Sequence, residues 1–260
     1  MYKIIWFFFF SIHYKDIQSK LTIPRFQKRG QFNKDYIPYV AKIVNGNWEF
    51  SVAKYKNDNN FFYIDNSELS NENIFFLANQ NQFLGKNKNF TQELLNLNKF
   101  TDTDPAFRAN IEVFNLKGGF SSYQSDYPFD MILKKGNTLS GLNLLTNKGF
   151  ENIIIFKNIY HKPIKEKFYL YFLDIKKEII LKKVDVYTNC TNCIELDNSF
   201  LDENIYLFTS SFIGIPIFLS QSTKGELSME HTHPPHLYVL GKKRFEIINK
   251  LKNEINKIIS

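Results

Sequence analysis

The chain has 260 residues, enough for one large domain or two modest ones with a sizeable core, so no disulfide framework is needed to hold it. Apolar residues make up 43% and include 27 Phe and 14 Tyr, which excludes a disordered chain and favours packed strands. The net charge of +7 comes from lysines scattered along the sequence, without a basic run or an Arg-rich patch, so no nucleic-acid partner is expected.

Taken in chain order, the first element is the apolar run from Ile4 to Ile12, behind Lys3. It is shorter than the roughly 20 residues that span a bilayer, and no small-x-small cleavage site follows it, so it reads as a buried strand. Export remains the alternative if residues 1–12 act as a signal. No other stretch is a transmembrane candidate. Residues 36–65 then read as strand, turn, strand: Asn45-Gly46 accepts positive φ at both positions, and residues 57–60 close a second hairpin. Residues 67–89 are Asn-rich and irregular apart from the apolar stretch 74–77. Thr91 ahead of Glu93, Leu94, Leu95 and Leu97 suggests a brief helix. It runs into Thr101-Asp102-Thr103-Asp104-Pro105, a polar joint that reads as a boundary.

Beyond the joint, apolar segments recur between Gly, Pro, Asn and Lys clusters with the rhythm of an antiparallel sandwich, Ig-like or jelly-roll-like. Residues 168–173 are apolar on both faces and should form a central strand covered on each side. The end of the chain changes period. Phe245, Ile248, Leu251, Ile255, Ile258 and Ile259 fall on one stripe of an amphipathic helix, with Lys250, Lys252, Asn253 and Lys257 facing away. That helix either packs on the β-domain or mediates self-association as a homo-oligomer. The expected fold class is therefore mainly β. A small N-terminal β region, residues 1–104, precedes a sandwich domain, residues 105–260, closed by the C-terminal helix.

Three stretches carry candidate chemistry. In the first, Arg108, Asn110 and Glu112 alternate with Ala109, Ile111 and Val113, giving a strand one apolar face and one polar face, the latter solvated or lining a pocket. In the second, Gly118-Gly119 opens a loop that brings Tyr123, Gln124 and Asp126 together. Aromatics beside hydroxyls, amides and acids suit sugar recognition, while the glycines lack the spacing of a phosphate cradle.

The third stretch is Glu230-His231-Thr232-His233-Pro234-Pro235-His236, three of the five histidines within seven positions. On a strand, His231 and His233 share a face and could hold a divalent metal such as zinc, with His236 as a further ligand. Alternatively Pro234-Pro235 ends the strand and the imidazoles bond to backbone. Gly225 followed by His231-x-His233 is similar to the opening of the cupin motif. Leu237 and Tyr238 stand where that motif has its Glu, and no later histidine supplies its second half. Cys190 and Cys193 are the only cysteines; they favour a reducing compartment such as the cytoplasm, and they could join His231 and His233 in a two-Cys, two-His zinc site. No βαβ context supports a thioredoxin-like reading of Cys190-x-x-Cys193.

These features point first to a non-catalytic binding module for a polar small molecule or glycan. Its site would comprise Arg108, Asn110, Glu112, Tyr123, Gln124, Asp126, Glu230, His231 and His233. The alternatives are a metal-dependent enzyme, with Glu230 or Glu112 as general base, and an interaction protein self-associating through its helix.

Overall fold

The computed structural model of the protein describes residues 7–28, 31–32, 36–79, 109–124, 127–133, 135–142, 144–145, 149–196, 200, 205–231 and 244–260. The first strands are β1 (Phe7–Phe8), β2 (Gln18–Pro24), β3 (Phe26–Lys28), β4 (Gln31–Phe32), β5 (Tyr36–Val44) and β6 (Asn47–Val52). β5 and β6 form the expected hairpin: Asn45 and Gly46 take φ of 51° and 75°, the left-handed pair that a tight turn requires. Next come β7 (Tyr55–Asn57), β8 (Phe61–Ile64) and β9 (Ile74–Asn79). The β7–β8 turn is closed by Asp58, whose Oδ1 accepts hydrogen bonds from the Asn60 and Phe61 amides at 2.7 Å each.

The chain continues through β10 (Asn110–Phe114), β11 (Phe120–Gln124), β12 (Tyr127–Pro128) and a single helical turn, α1 (Phe129–Ile132). It then forms β13 (Leu139–Gly141), β14 (Phe150–Lys157), β15 (Lys167–Asp174), β16 (Ile179–Tyr187), β17 (Thr191–Leu196), β18 (Ile205–Thr209), β19 (Ile215–Ser222) and β20 (Leu227–His231). The helix α2 (Arg244–Ile259) ends it. No described helix is long and apolar enough to cross a membrane.

The strands assemble into a five-stranded sheet β11-β10-β2-β8-β7, a three-stranded sheet β6-β5-β9, and two four-stranded sheets, β17-β14-β19-β20 and β13-β18-β15-β16. Every described pairing is antiparallel. Two small ribbons, β1-β12 and β3-β4, complete the set. The fold is mainly β, as expected. The four larger sheets, however, follow one another like propeller blades rather than forming one Ig-like or jelly-roll-like sandwich. The reason lies in the strands. β14 presents Ile153 and Ile155 on one face and Ile154 and Phe156 on the other, all buried, so its sheet needs an apolar neighbour on both sides.

Three apolar layers fill the gaps. Phe168, Leu170 and Phe172 of β15 meet Ile154, Phe156 and Phe218 of the neighbouring sheet. On that sheet's other face, Ile155, Ile217 and Leu219 meet Tyr39, Ala41 and Phe76, with Phe8, Phe10 and Ile12 packed in alongside. Val40, Phe75 and Leu77 then face Leu21, Ile23 and Phe62 of the five-stranded sheet. Fully burying a Phe or Ile side chain contributes roughly 1.5–3 kcal/mol, so the N-terminal aromatic run is a structural part of the core. β15 is covered on both sides: α2 lays Leu251, Ile255, Ile258 and Ile259 over Tyr171, Leu173 and Phe208. These four residues of the α2 stripe are thus spent on its own sheet.

β10, which follows the polar stretch near residue 104 in the chain, pairs along its length with β2. In one place the described organisation departs from the expected one. Residues 120–124 form a strand rather than a loop, since Phe120, Ser122 and Gln124 find register partners in Phe114, Glu112 and Asn110. The helix expected near residues 91–97, like the joint itself, lies outside the described residues.

Candidate functional site

The expected composite site draws on β10, β11 and β20, and these strands do come together: β11 runs alongside β20. Two hairpin turns fix the approach. Asn115 at the end of β10 accepts hydrogen bonds at Oδ1 from the Lys117 and Gly119 amides, at 3.1 and 3.0 Å, and donates from Nδ2 to the Gly225 carbonyl at 2.7 Å. Lys117 Nζ donates to the Thr223 carbonyl at 3.1 Å. Gly119 is packed so closely on the partner turn that a Cβ there would stand 1.8 Å from the Gly225 oxygen.

The side chains nevertheless divide between faces. Asn110 and Glu112 are half-buried on the outer face of the five-stranded sheet, and Gln124 occupies the register position opposite Asn110. Tyr123 pairs with Ile111 and packs against the core from the inner face. Glu230 is exposed, on the opposite face of β20 from buried Met229. His231 is the last residue of β20 and pairs with Ile217, so it does sit on an extended segment. Arg108, Asp126, His233 and His236 lie outside the described residues.

The outer face carries an aromatic and ionic pattern of its own. Phe114 and Phe120 are register partners across β10 and β11, and Phe120 is 71% exposed. Lys20 on β2 holds its Nζ 4.0 Å from Glu112 Oε2 and 5.2 Å from the Phe114 ring centre. This row of charge stands next to the row of rings, about 7 Å along the strands.

Metal schemes fare differently. Among the described residues no group of three or more His, Cys, Asp or Glu could hold a metal ion. The two-Cys, two-His site is excluded by register. Cys193 pairs with Ile155, Ile155 with Ile217, and Ile217 with His231. The two residues therefore stand at opposite edges of one sheet, three strand spacings or about 14 Å apart, too far for zinc bonds of about 2.3 Å to S and 2.1 Å to N. Cys190-x-x-Cys193 is not a redox centre of the thioredoxin type either. Cys190 closes the turn before β17 instead of starting a helix. Burial pushes both thiols up, Cys193 to about 12, whereas a reactive cysteine is depressed.

The densest polar chemistry lies elsewhere, around residues 187–193, where the chain crosses from β16 in one sheet to β17 in the next. Asn189, at φ 59°, accepts from the Tyr160 amide at 2.7 Å and donates to the Lys162 and Ile164 carbonyls at 2.8 and 3.0 Å. Asn158 Oδ1 accepts from the Asn189 amide, and Asn192 Oδ1 from that of Tyr187. Thr191 donates its hydroxyl to the Ser11 carbonyl and its amide to the Asn71 carbonyl, tying the N-terminal run to the same corner.

Within this satisfied network stands Lys157, the last residue of β14. It is fully buried, and its Nζ has no hydrogen-bond partner among the described residues. Burial draws its amine down from 10.5 to about 8. The groups that act on it electrostatically are Cys190, Cys193, Lys165 and Glu72. Sequence reasoning passed over Lys157, although a signal was present. In a strand apolar on both faces, a lysine sharing a face with Ile153 and Ile155 has nowhere to go but inward. Comparisons with protein-family models, curated proteins and solved structures found no match.

Proposed function

We propose that this chain is a non-catalytic binding module for a polar ligand of the carbohydrate class, received on the outer face of the five-stranded sheet. The observation that carries this reading is the exposed Phe120 paired with Phe114 beside the Lys20–Glu112 row. A sugar has an apolar ring face and a rim of hydroxyls. An aromatic row supports the first, and a cation, a carboxylate, Ser122 and Asn110 in the adjoining rows support the second. The face belongs to a strongly paired sheet, so the groups are held in place before a ligand arrives.

A glycan array followed by calorimetric titration tests the reading. Saccharide binding in the wild type should be lost in Phe120→Ala and weakened at least tenfold in Glu112→Gln, with both variants melting like the parent. An array and a small-molecule thermal-shift screen that find no ligand overturn it, as does a ligand whose affinity is indifferent to both substitutions.

A further inference from the structure

The β15–β16 hairpin turns through Lys176-Lys177-Glu178-Ile179-Ile180-Leu181-Lys182-Lys183, an aliphatic triplet between two lysine pairs. Residues 176–181 are all exposed, and Ile179, Ile180 and Leu181 are 44%, 41% and 38% accessible. Successive strand residues point to opposite faces, so a strand lying on the body of the protein would bury one of Ile179 and Ile180. Neither is buried. This end of β16 therefore projects past the cover on both sides of its sheet, as an apolar lip.

The lip is held in shape by its own turn. Asp174 accepts a hydrogen bond at Oδ1 from the Lys177 amide at 3.0 Å, and its Oδ2 lies 2.9 Å from Lys177 Nζ. Glu178 takes the left-handed φ of 57° that brings the chain back, and β16 then pairs with β15 from Ile179 to Tyr187. The ladder shifts once. Phe172 stands opposite Lys182 and Leu173 opposite Ile180, which makes Leu181 an extra residue in the outermost described strand of its sheet.

These features sort the candidate occupants. An added strand from another chain needs a regular edge, and the bulge at Leu181 interrupts this one. A second copy docked here about a two-fold axis would set Lys176, Lys182 and Lys183 against their own counterparts. A bilayer surface requires neither a regular edge nor a matching shape. Aliphatic side chains enter among the headgroups, while lysines around them meet lipid phosphates. The charge fits such a partner, because the segment holds four lysines against Glu178, with Lys177 paired to Asp174.

We infer that the projecting end of the β15–β16 hairpin docks on an anionic lipid bilayer surface, with Ile179, Ile180 and Leu181 entering the headgroup layer and the flanking lysines meeting its phosphates. This surface lies on a different sheet from the saccharide face and does not depend on it.

The test is co-sedimentation of the full chain with phosphatidylcholine vesicles, with and without about 30% phosphatidylglycerol. The protein should bind the anionic vesicles at least tenfold more tightly than the neutral ones, and about 0.5 M salt should release most of it. Lys176→Gln should weaken binding about fivefold, the effect of one lysine near such a surface. Ile179→Ser combined with Leu181→Ser should weaken it about tenfold, with melting curves like the parent's. Should the serine pair melt early, Lys176→Gln carries the test alone. Wild-type protein that ignores anionic vesicles overturns the assignment, as does binding indifferent to these substitutions. A dimer that dissociates in the serine variant also overturns it, since the occupant would then be a second copy.

Discussion

Two lysines stand over phenylalanine rings at nearly the same distance. Lys20 Nζ is 5.2 Å from the Phe114 centre and Lys157 Nζ is 5.6 Å from that of Phe10. Lys20 is on the surface with Glu112 beside it, whereas Lys157 is sealed between sheets and no described group accepts its protons. The first contact is close to neutral for stability, because water solvates both charges whether or not they meet. The second defines a problem that the surrounding fold has to solve. The same difference separates the two polar regions of the molecule. On the outer face of the five-stranded sheet polar groups are loosely coupled and free to meet a ligand, while around residues 187–193 each amide is enlisted in holding the chain.

The sharpest way to break the contrast is to remove a member of the interior network. Asn189→Ala deletes an acceptor for the Tyr160 amide and two donors to the Lys162 and Ile164 carbonyls, and it forces alanine into a left-handed φ of 59°. Urea unfolding should report a loss of about 4 kcal/mol, from one orphaned buried amide, lost bonds and backbone strain together. A loss below about 1 kcal/mol would mean that the network is no more coupled than the surface.

Lys157 offers the next effect, read through pH. Its folded value of about 8 lies below the ordinary 10.5, so between those limits the unfolded chain binds more protons than the folded one. Stability must then rise with pH across that window. The charge penalty is fully present below about pH 8 and is gone above about 10.5. The wild type should gain about 3 kcal/mol on Lys157→Met between these limits. Cys193, pushed up to about 12, works in the opposite direction above pH 9, because its stabilising protonated form is lost there. That contribution is common to both proteins and largely cancels in the difference. A flat difference curve from denaturant titrations would show that Lys157 is not desolvated.

Local chemistry was readable from the sequence and distant pairing was not. The Asn45-Gly46 turn follows from a backbone requirement that two residues satisfy by themselves, and the α2 stripe from a period that survives any packing. The pairing of β10 with β2 joins segments about ninety residues apart, and neither carries a mark of the other. The polar joint near residue 104 therefore read as a boundary, with nothing in the sequence to announce that β10 beyond it pairs with β2. Tyr123 was misplaced for a smaller reason. The Gly118-Gly119 pair suggested a loop, which hid the alternation that sends Phe120 and Ser122 outward and Tyr123 into the core. The Glu230-His231 segment was rightly read as extended, yet its proximity to β11 depends on the Asn115–Gly225 clasp, a contact between two turns that no periodicity encodes.

The smallest expected effect sharpens the comparison from the surface side. Glu112→Gln removes the charge opposite Lys20 at a 4.0 Å separation, with Lys20 exposed and Glu112 about half-exposed. Such a pair contributes about 0.5 kcal/mol, and 0.5 M salt should erase most of it by screening. Phe120→Ala should alter stability by about 0.5 kcal/mol or less, because the ring is mostly in water in both states. If either substitution instead cost about 2 kcal/mol in denaturant unfolding, the outer face would be part of the scaffold. Its aromatic and ionic rows would then be occupied with folding, and the contrast with Lys157 would collapse.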